Sequence, residues 1–218
     1  NGSTDGTLKR SFPAGVTVIR HGDNRGTSGA VGTGMQYALD KGYDWVWLFD
    51  ADSAPRGDAL EKLVQLYRSF PPELQAETWL LASLPIYAST QTPWHGMRFT
   101  QGGVALVQPD AARSFHEIEV TVWSGSLYKV AAVQKVGLPS ADYVLNWGEF
   151  EYGYRGKQGG FRAFMHCDSI LLHDTGGQPS VRFTPHRLGP LAFDTIDLPP
   201  IRLYYDARNS LYFWLHEY

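Results

Sequence analysis

Asp50-Ala51-Asp52 sets two carboxylates one residue apart, directly behind the apolar run Trp45-Val46-Trp47-Leu48-Phe49. Five apolar residues in succession predict a central strand buried on both faces. A strand ending in two carboxylates delivers them to the carboxyl edge of a sheet, where open α/β folds bind ligands. Hard oxygen donors at that spacing suit Mg2+ or Mn2+ bridging a diphosphate. Such an ion would neutralise charge building on a diphosphate leaving group. The same triplet also serves as a helix cap or a solvated turn, and in isolation that is its commoner use. Upstream, the glycine-rich stretch Gly22 to Gly34 has the composition of a phosphate-cradling loop, or of a tight turn with close helix packing. It has no lysine followed by serine or threonine in P-loop register, so an NTPase of that type is excluded.

The elements that must position these residues alternate. Val16 to Arg20 is β-branched and predicts a strand. Val31, Met35, Ala38 and Leu39 predict a helix that Gly42 ends. Leu60, Leu63, Val64 and Tyr67 have the spacing of a core-facing helical stripe, opened by Pro55 and Asp58 and stopped by Pro71-Pro72. Trp79 to Leu84 predicts another buried strand, and residues 85–115 look rich in loops. Extended structure over Thr121–Tyr128, a helix over Val130–Val136 ended by Gly137, a helix over 149–158, a strand over Ser169–His173 and an aromatic-rich helix over 201–217 complete the series. Strands alternating with helices imply an α/β fold, a largely parallel sheet covered by helices. The whole chain, 1–218, reads as one domain without repeats.

Composition narrows the function classes. With 43% apolar and 19% charged residues the chain is of ordinary globular type and not disordered. A net charge of −3 with no basic stripe argues against nucleic acid as partner. One cysteine, Cys167, excludes an internal disulfide framework and a cysteine-rich zinc site. No apolar run approaches the ~18 residues that span a bilayer, and a cytoplasmic location fits. Aromatics reach 14%, which suits a cleft with aromatic walls. Asn1-Gly2-Ser3-Thr4-Asp5-Gly6-Thr7 is turn chemistry from the first residue, and the expectation is that an upstream strand–helix–strand unit of roughly 30 residues is missing.

Several segments occur together in a telling order. They are Asn1 to Thr7, Asn24-x-Gly26-x-Ser28-Gly29-Ala30, Asp50-Ala51-Asp52, Trp123-Ser124-Gly125-Ser126-Leu127, Trp147-Gly148-Glu149-Phe150-Glu151-x-x-x-Arg155, Leu172-His173-Asp174 and Tyr204-Tyr205-x-x-Arg208-Asn209. The series resembles the family 2 glycosyltransferases, and most of all their bacterial rhamnosyltransferase and galactofuranosyltransferase branch. The resemblance spans nearly the whole chain and is weakest over 85–115 and 175–200. It implies a GT-A fold, Rossmann-like, here without its usual first strand, and an inverting, metal-dependent transfer from a nucleoside-diphosphate sugar to an acceptor hydroxyl on a saccharide or lipid-linked saccharide. Peripheral association with the inner face of a membrane follows by analogy alone.

Roles follow position by position. The resemblance implies that Asn1, Ser3, Asp5, Asn24, Gly26 and Ser28 line the nucleotide pocket, with Asp50 and Ala51 beside the diphosphate and ribose. Ser124 and Gly125 would border the donor sugar. Asp50, Asp52 and His173 would hold Mn2+ or Mg2+, and Glu149 would be the base, at a position where this branch more often has aspartate. Trp123 and Trp147 would wall the acceptor slot, or serve as ordinary core aromatics. At 100° per residue Glu151 lies about 200° around a helix from Glu149, and it stands four residues before Arg155, in ion-pair register. Glu151 is therefore expected to be structural. Two other readings stay open, an inert nucleotide-sugar-binding module and a sugar nucleotidyltransferase, for which Arg25 is the one basic residue in the glycine-rich loop.

Overall fold

The glycine-rich loop runs into helix α1 (Gly26–Lys41), which ends at Gly42 as predicted. Met35 and Ala38 face the core from it, and Val31 and Leu39 pack against the same cluster. The strand β1 (Trp45–Trp47) follows, then a turn through the acidic triplet, then the short β2 (Ser53–Pro55). This computed structural model describes every residue except 5, 7, 8, 111, 174–182, 190 and 197; of residues 183, 186, 188 and 191–196 it describes the backbone alone.

Helix α2 (Ala59–Ser69) starts after Asp58, and the prolines end it before a further turn, α3 (Pro72–Glu77). The buried stripe of α2 is Ala59, Leu63 and Leu66, whereas Leu60 is exposed. Next comes β3 (Thr78–Tyr87), whose first eight residues are all buried. Between it and the later elements lie a hairpin, β4 (Gly96–Thr100) with β5 (Gly103–Val107), and then β6 (Phe115–Ile118). The segment 85–115 is thus more ordered than its weak patterning suggests.

After a turn at Trp123–Gly125, β7 (Ser126–Lys129) leads into α4 (Val130–Val136). Helix α5 (Gly148–Gln158) and the long β8 (Arg162–His173) follow. A second hairpin, β9 (Phe183–Leu188) with β10 (Leu191–Ile196), precedes helix α6 (Pro200–Tyr212), which closes in a π-helical turn over Phe213–Glu217.

The main sheet has the order β1-β7-β3-β8-β2, with β6 also on β8. Helices flank it, and this mixed α/β arrangement is consistent with a GT-A type fold. Its parallel character is narrower than strand–helix alternation predicts: among the described residues only β3 and β8 run parallel, and every other pairing is antiparallel. Two strand predictions need correction. Trp45–Trp47 is an edge strand paired only with β7, and it is half-buried; apolarity here reflects a large aromatic face and not a central place. Val16–Arg20 forms no strand, and Val16, Val18 and Ile19 are exposed. A β-branched run becomes a strand only when a neighbour completes its hydrogen bonds, and no strand among the described residues pairs with it. Likewise, extended structure over 121–128 narrows to its last three residues.

The core follows from β3 and β8 side by side. Trp79, Leu80, Tyr128, Tyr152, Met165 and Ile170 pack on one side of them with α1, α4 and α5. On the other, Leu63, Phe70, Leu81, Leu127 and Phe164 pack beneath α2. The central strands therefore hold their carboxyl ends rigidly at one edge, where β2, the acidic triplet and the end of β8 meet.

Candidate active site

Two backbone ladders converge on the triplet. Leu48 donates to the Ser126 carbonyl at 3.0 Å, and Gly125 donates to the Leu48 carbonyl at 2.8 Å. The Asp50 amide then donates to the Ser124 hydroxyl at 3.0 Å. The turn at Trp123–Gly125 so fixes the backbone just where Asp50 emerges. Beyond Asp52, β2 lies antiparallel to β8 with Ser53 opposite His173. This pairing brings residues 120 positions apart into one cluster. One ligand atom from each of Asp50, Asp52 and His173 lies within 4.8 Å of the others.

His173 Nδ1 is 3.7 Å from Asp52 Oδ1 and 2.8 Å from the Ser53 hydroxyl. Its imidazole is mostly buried, with Tyr87 and Trp94 each 6.1 Å away between ring centres. Ser53 and the aromatic rings fix the orientation of a ring that would otherwise turn freely at a strand end. Partial desolvation and then the neighbouring Asp52 charge raise the Asp50 pKa above the ordinary carboxylate value, while His173 pulls it down. A divalent ion would relieve that repulsion between carboxylates.

Glu149 is the second residue of α5. The two residues before the helix, Asn146 and Trp147, both have left-handed backbones, with φ of 58° and 66°. Each such non-glycine residue costs about 1 kcal/mol or more, so the chain entering α5 is held there by its surroundings. Glu149 is half-buried and lines a cavity of about 510 Å3 together with Thr27, Trp94, Trp123, Trp147 and Phe150. Burial pushes its pKa up to about 7; a contact with its own backbone N–H opposes this, and the charge of Asp50 adds to it. Glu151, by contrast, is buried on another face of α5 and ion-paired with Arg155. Arg155 also donates to the carbonyls of Val136 and Leu138 at 2.9 and 2.7 Å. The two carboxylates point apart as helical geometry predicts.

The first residues dock on the glycine-rich loop. Asn1 Nδ2 donates to Asn24 Oδ1 at 3.2 Å and to the Gly26 carbonyl at 3.1 Å, and the Arg25 amide donates to Asn1 Oδ1 at 2.9 Å. Asn24 Oδ1 accepts the Gly26 amide at 2.9 Å. Ser3 and Ala51 are exposed, and Asp5 lies outside the described residues, as does Asp174. Ser28 is buried under the start of α5; a Cβ at Gly148 would stand only 2.0 Å from its hydroxyl. Ser28 thus joins the loop to the helix that carries Glu149. Trp147 is half-buried on the cavity wall, while Trp123 is buried against Tyr128 and Tyr152 and reaches the cavity from the core side.

Residues 1–74 match the family model for glycosyl transferase family 2. Over that segment, about a third of its length, the chain is similar to the family 2 glycosyltransferases. No curated protein matches the chain significantly. The matched segment carries the Asn1–Asn24 contacts, α1 and the acidic triplet. The partners of the triplet, His173 and Ser124, lie beyond it and are joined to it by the sheet.

Two side chains of this site carried no signal in the sequence. Ser53 is an ordinary residue until β2 pairs with β8 and places it on His173. Trp94 lies in a segment read as loop, yet it lines the Glu149 cavity and stands edge-on to His173. Arg25 is partly exposed and pairs with Asp23 at 3.5 Å.

Proposed function

We propose that this glycosyltransferase moves a sugar, with inversion, from a nucleoside-diphosphate sugar to a hydroxyl of a saccharide acceptor. The observation that carries the reading is the meeting of Asp50, Asp52 and His173 at one sheet edge, with Glu149 lining a cavity walled by tryptophans.

The donor set fits a divalent ion. Two carboxylates and one imidazole suit Mn2+, and the carboxylates alone suit Mg2+. When bound there, the ion would supply charge neutralisation for a departing diphosphate. Asp50, Asp52 and His173 would hold it, with Ser53 keeping the imidazole aligned. Asn1, Ser3, Asp5, Asn24, Gly26 and Ser28 would form the nucleotide side, with Ala51 beside the diphosphate and ribose, and Ser124 and Gly125 the border of the donor sugar.

Glu149 would take the proton from the acceptor hydroxyl. A carboxylate held near neutrality is a better proton acceptor than one at its ordinary value, while still ionised in half or more of the molecules at neutral pH. Trp147, Trp94 and Trp123 offer apolar faces on which a sugar ring can stack beside it. Inversion needs the base and the leaving group on opposite sides of the sugar carbon. Glu149 on α5 would provide the base side and the acidic cluster at the sheet edge the leaving-group side.

The test is incubation with Mn2+ and a panel of nucleoside-diphosphate sugars. Release of nucleoside diphosphate that stops on chelation supports the proposal. Pyrophosphate exchange would support a nucleotidyltransferase, and nucleotide binding without turnover an inert module.

A further inference from the structure

The loop that delivers Glu149 is held from outside by α6. Three consecutive polar features of that helix point at residues 142–147. Asp206 Oδ1 accepts the Trp147 indole N–H at 3.0 Å and the Asn146 side-chain amide at 3.3 Å. Asn209, buried to 1% exposure, donates its amide to the carbonyls of Leu145 and Asn146 at 2.8 and 3.2 Å. Arg208 donates to the Asp142 carbonyl at 2.9 Å and to Asn209 Oδ1 at 2.7 Å, which fixes the Asn209 amide the right way round.

These contacts land on the two residues whose left-handed backbones open α5. A left-handed Asn146–Trp147 pair is not a conformation the chain would keep unaided. The bonds from α6 reach both its side chains and the carbonyls of Leu145 and Asn146. From the other side the loop is fixed by the Thr27 amide on the Val144 carbonyl at 3.1 Å. Glu149 follows two residues after Trp147, so a change in the Asn146–Trp147 backbone swings its carboxylate relative to the cavity.

We propose that Asp206 and Asn209 are positioning residues for this transferase: they lock the Asn146–Trp147 turn and thereby aim Glu149 into the acceptor cavity. The proposal rests on the reading of Glu149 as the base. It gives a function to Arg208-Asn209 and to Asp206, which also lines the Glu149 cavity.

Asn209→Ala and Asp206→Ala should lower kcat by about 100-fold, the usual cost of a displaced reacting group, with the KM for the donor unchanged. Asp206→Asn keeps an accepting oxygen and should recover most of the kcat lost in Asp206→Ala. Amide hydrogen exchange should accelerate in 142–150 in the alanine variants and stay as in the parent in β3 and β8. Unchanged kcat in both alanine variants, with Glu149→Gln inactive, overturns this proposal alone. Retained transfer in Glu149→Gln overturns the base reading as well. A rise in acceptor KM at constant kcat in Asp206→Ala also overturns it, because it would make Asp206 a direct acceptor contact. Should Asn209→Ala fail to fold, the Asp206 pair of variants still decides the matter.

Discussion

Ser53 and His173 stand opposite each other across the β2–β8 pairing, and their side chains hydrogen-bond at 2.8 Å. Partners behind a metal-ligating histidine commonly govern metal affinity by 10–100-fold. Ser53→Ala should therefore weaken Mn2+ binding by about 10-fold, and His173→Ala by more. A titration followed by the loss of the free Mn2+ electron paramagnetic signal would measure both. Equal affinity in parent and Ser53→Ala would mean that the serine does not support the site.

Glu149→Gln should abolish transfer while leaving donor affinity within about twofold, since the amide cannot accept the proton but fills the same space. Isothermal titration with donor and a turnover assay on the same sample separate the two quantities. Equal loss of both would show that Glu149 holds the donor instead.

The acid limb of kcat/KM should fall near pH 7, because burial and the charge of Asp50 raise the Glu149 carboxyl to about that value. The sign is that of a base: activity is present above the limb and lost as pH falls and the carboxyl takes up a proton. The stability effect has the opposite direction. The folded pKa lies above the unfolded one, so the folded state binds the proton more tightly, and stability falls as pH rises from about 4.5 to 7. Glu149→Gln should thus be more stable than the parent at pH 8, by on the order of 1–2 kcal/mol. Denaturant melts at pH 5 and pH 8 should show that gain only at the higher pH.

Gly26→Ala should destabilise the fold by about 2–4 kcal/mol, at the upper end for a single substitution. Gly26 has φ of 67°, and a Cβ there would lie 1.9 Å from the Val144 carbonyl oxygen. The backbones of α1 and the loop before α5 touch at this point, with the Thr27 amide bonded to the same carbonyl. Thermal unfolding would show the loss, and residual folded protein should show weaker nucleotide binding. An unchanged melting temperature would mean that the two backbones can separate freely.

Arg155→Ala should cost more stability than removing an exposed ion pair, about 3 kcal/mol or more, because it leaves Glu151 buried and unpaired. The double variant Arg155→Met with Glu151→Leu should regain much of it. Denaturant unfolding of the three proteins checks this, and equal stability of Arg155→Ala and the parent would contradict it.

What the sequence determined by itself is local. The acidic triplet behind an aromatic run, the helix stop at Gly42, the buried run Trp79–Leu84 and the opposed faces of Glu149 and Glu151 all depend on neighbours within one or two helical turns, and each is present in the structure. Pairing is not local. Val16–Arg20 has the residues of a strand, yet no strand among the described residues pairs with it, while Trp45–Trp47 has the residues of a central strand and sits at an edge. Only the tertiary fold could set Ser53 against His173, bring Trp94 to the cavity, and place Asp206 and Asn209 on the turn before Glu149. A hydrogen bond between residues 60 or 120 positions apart is decided by strand register and helix docking, and these are set by the whole core at once.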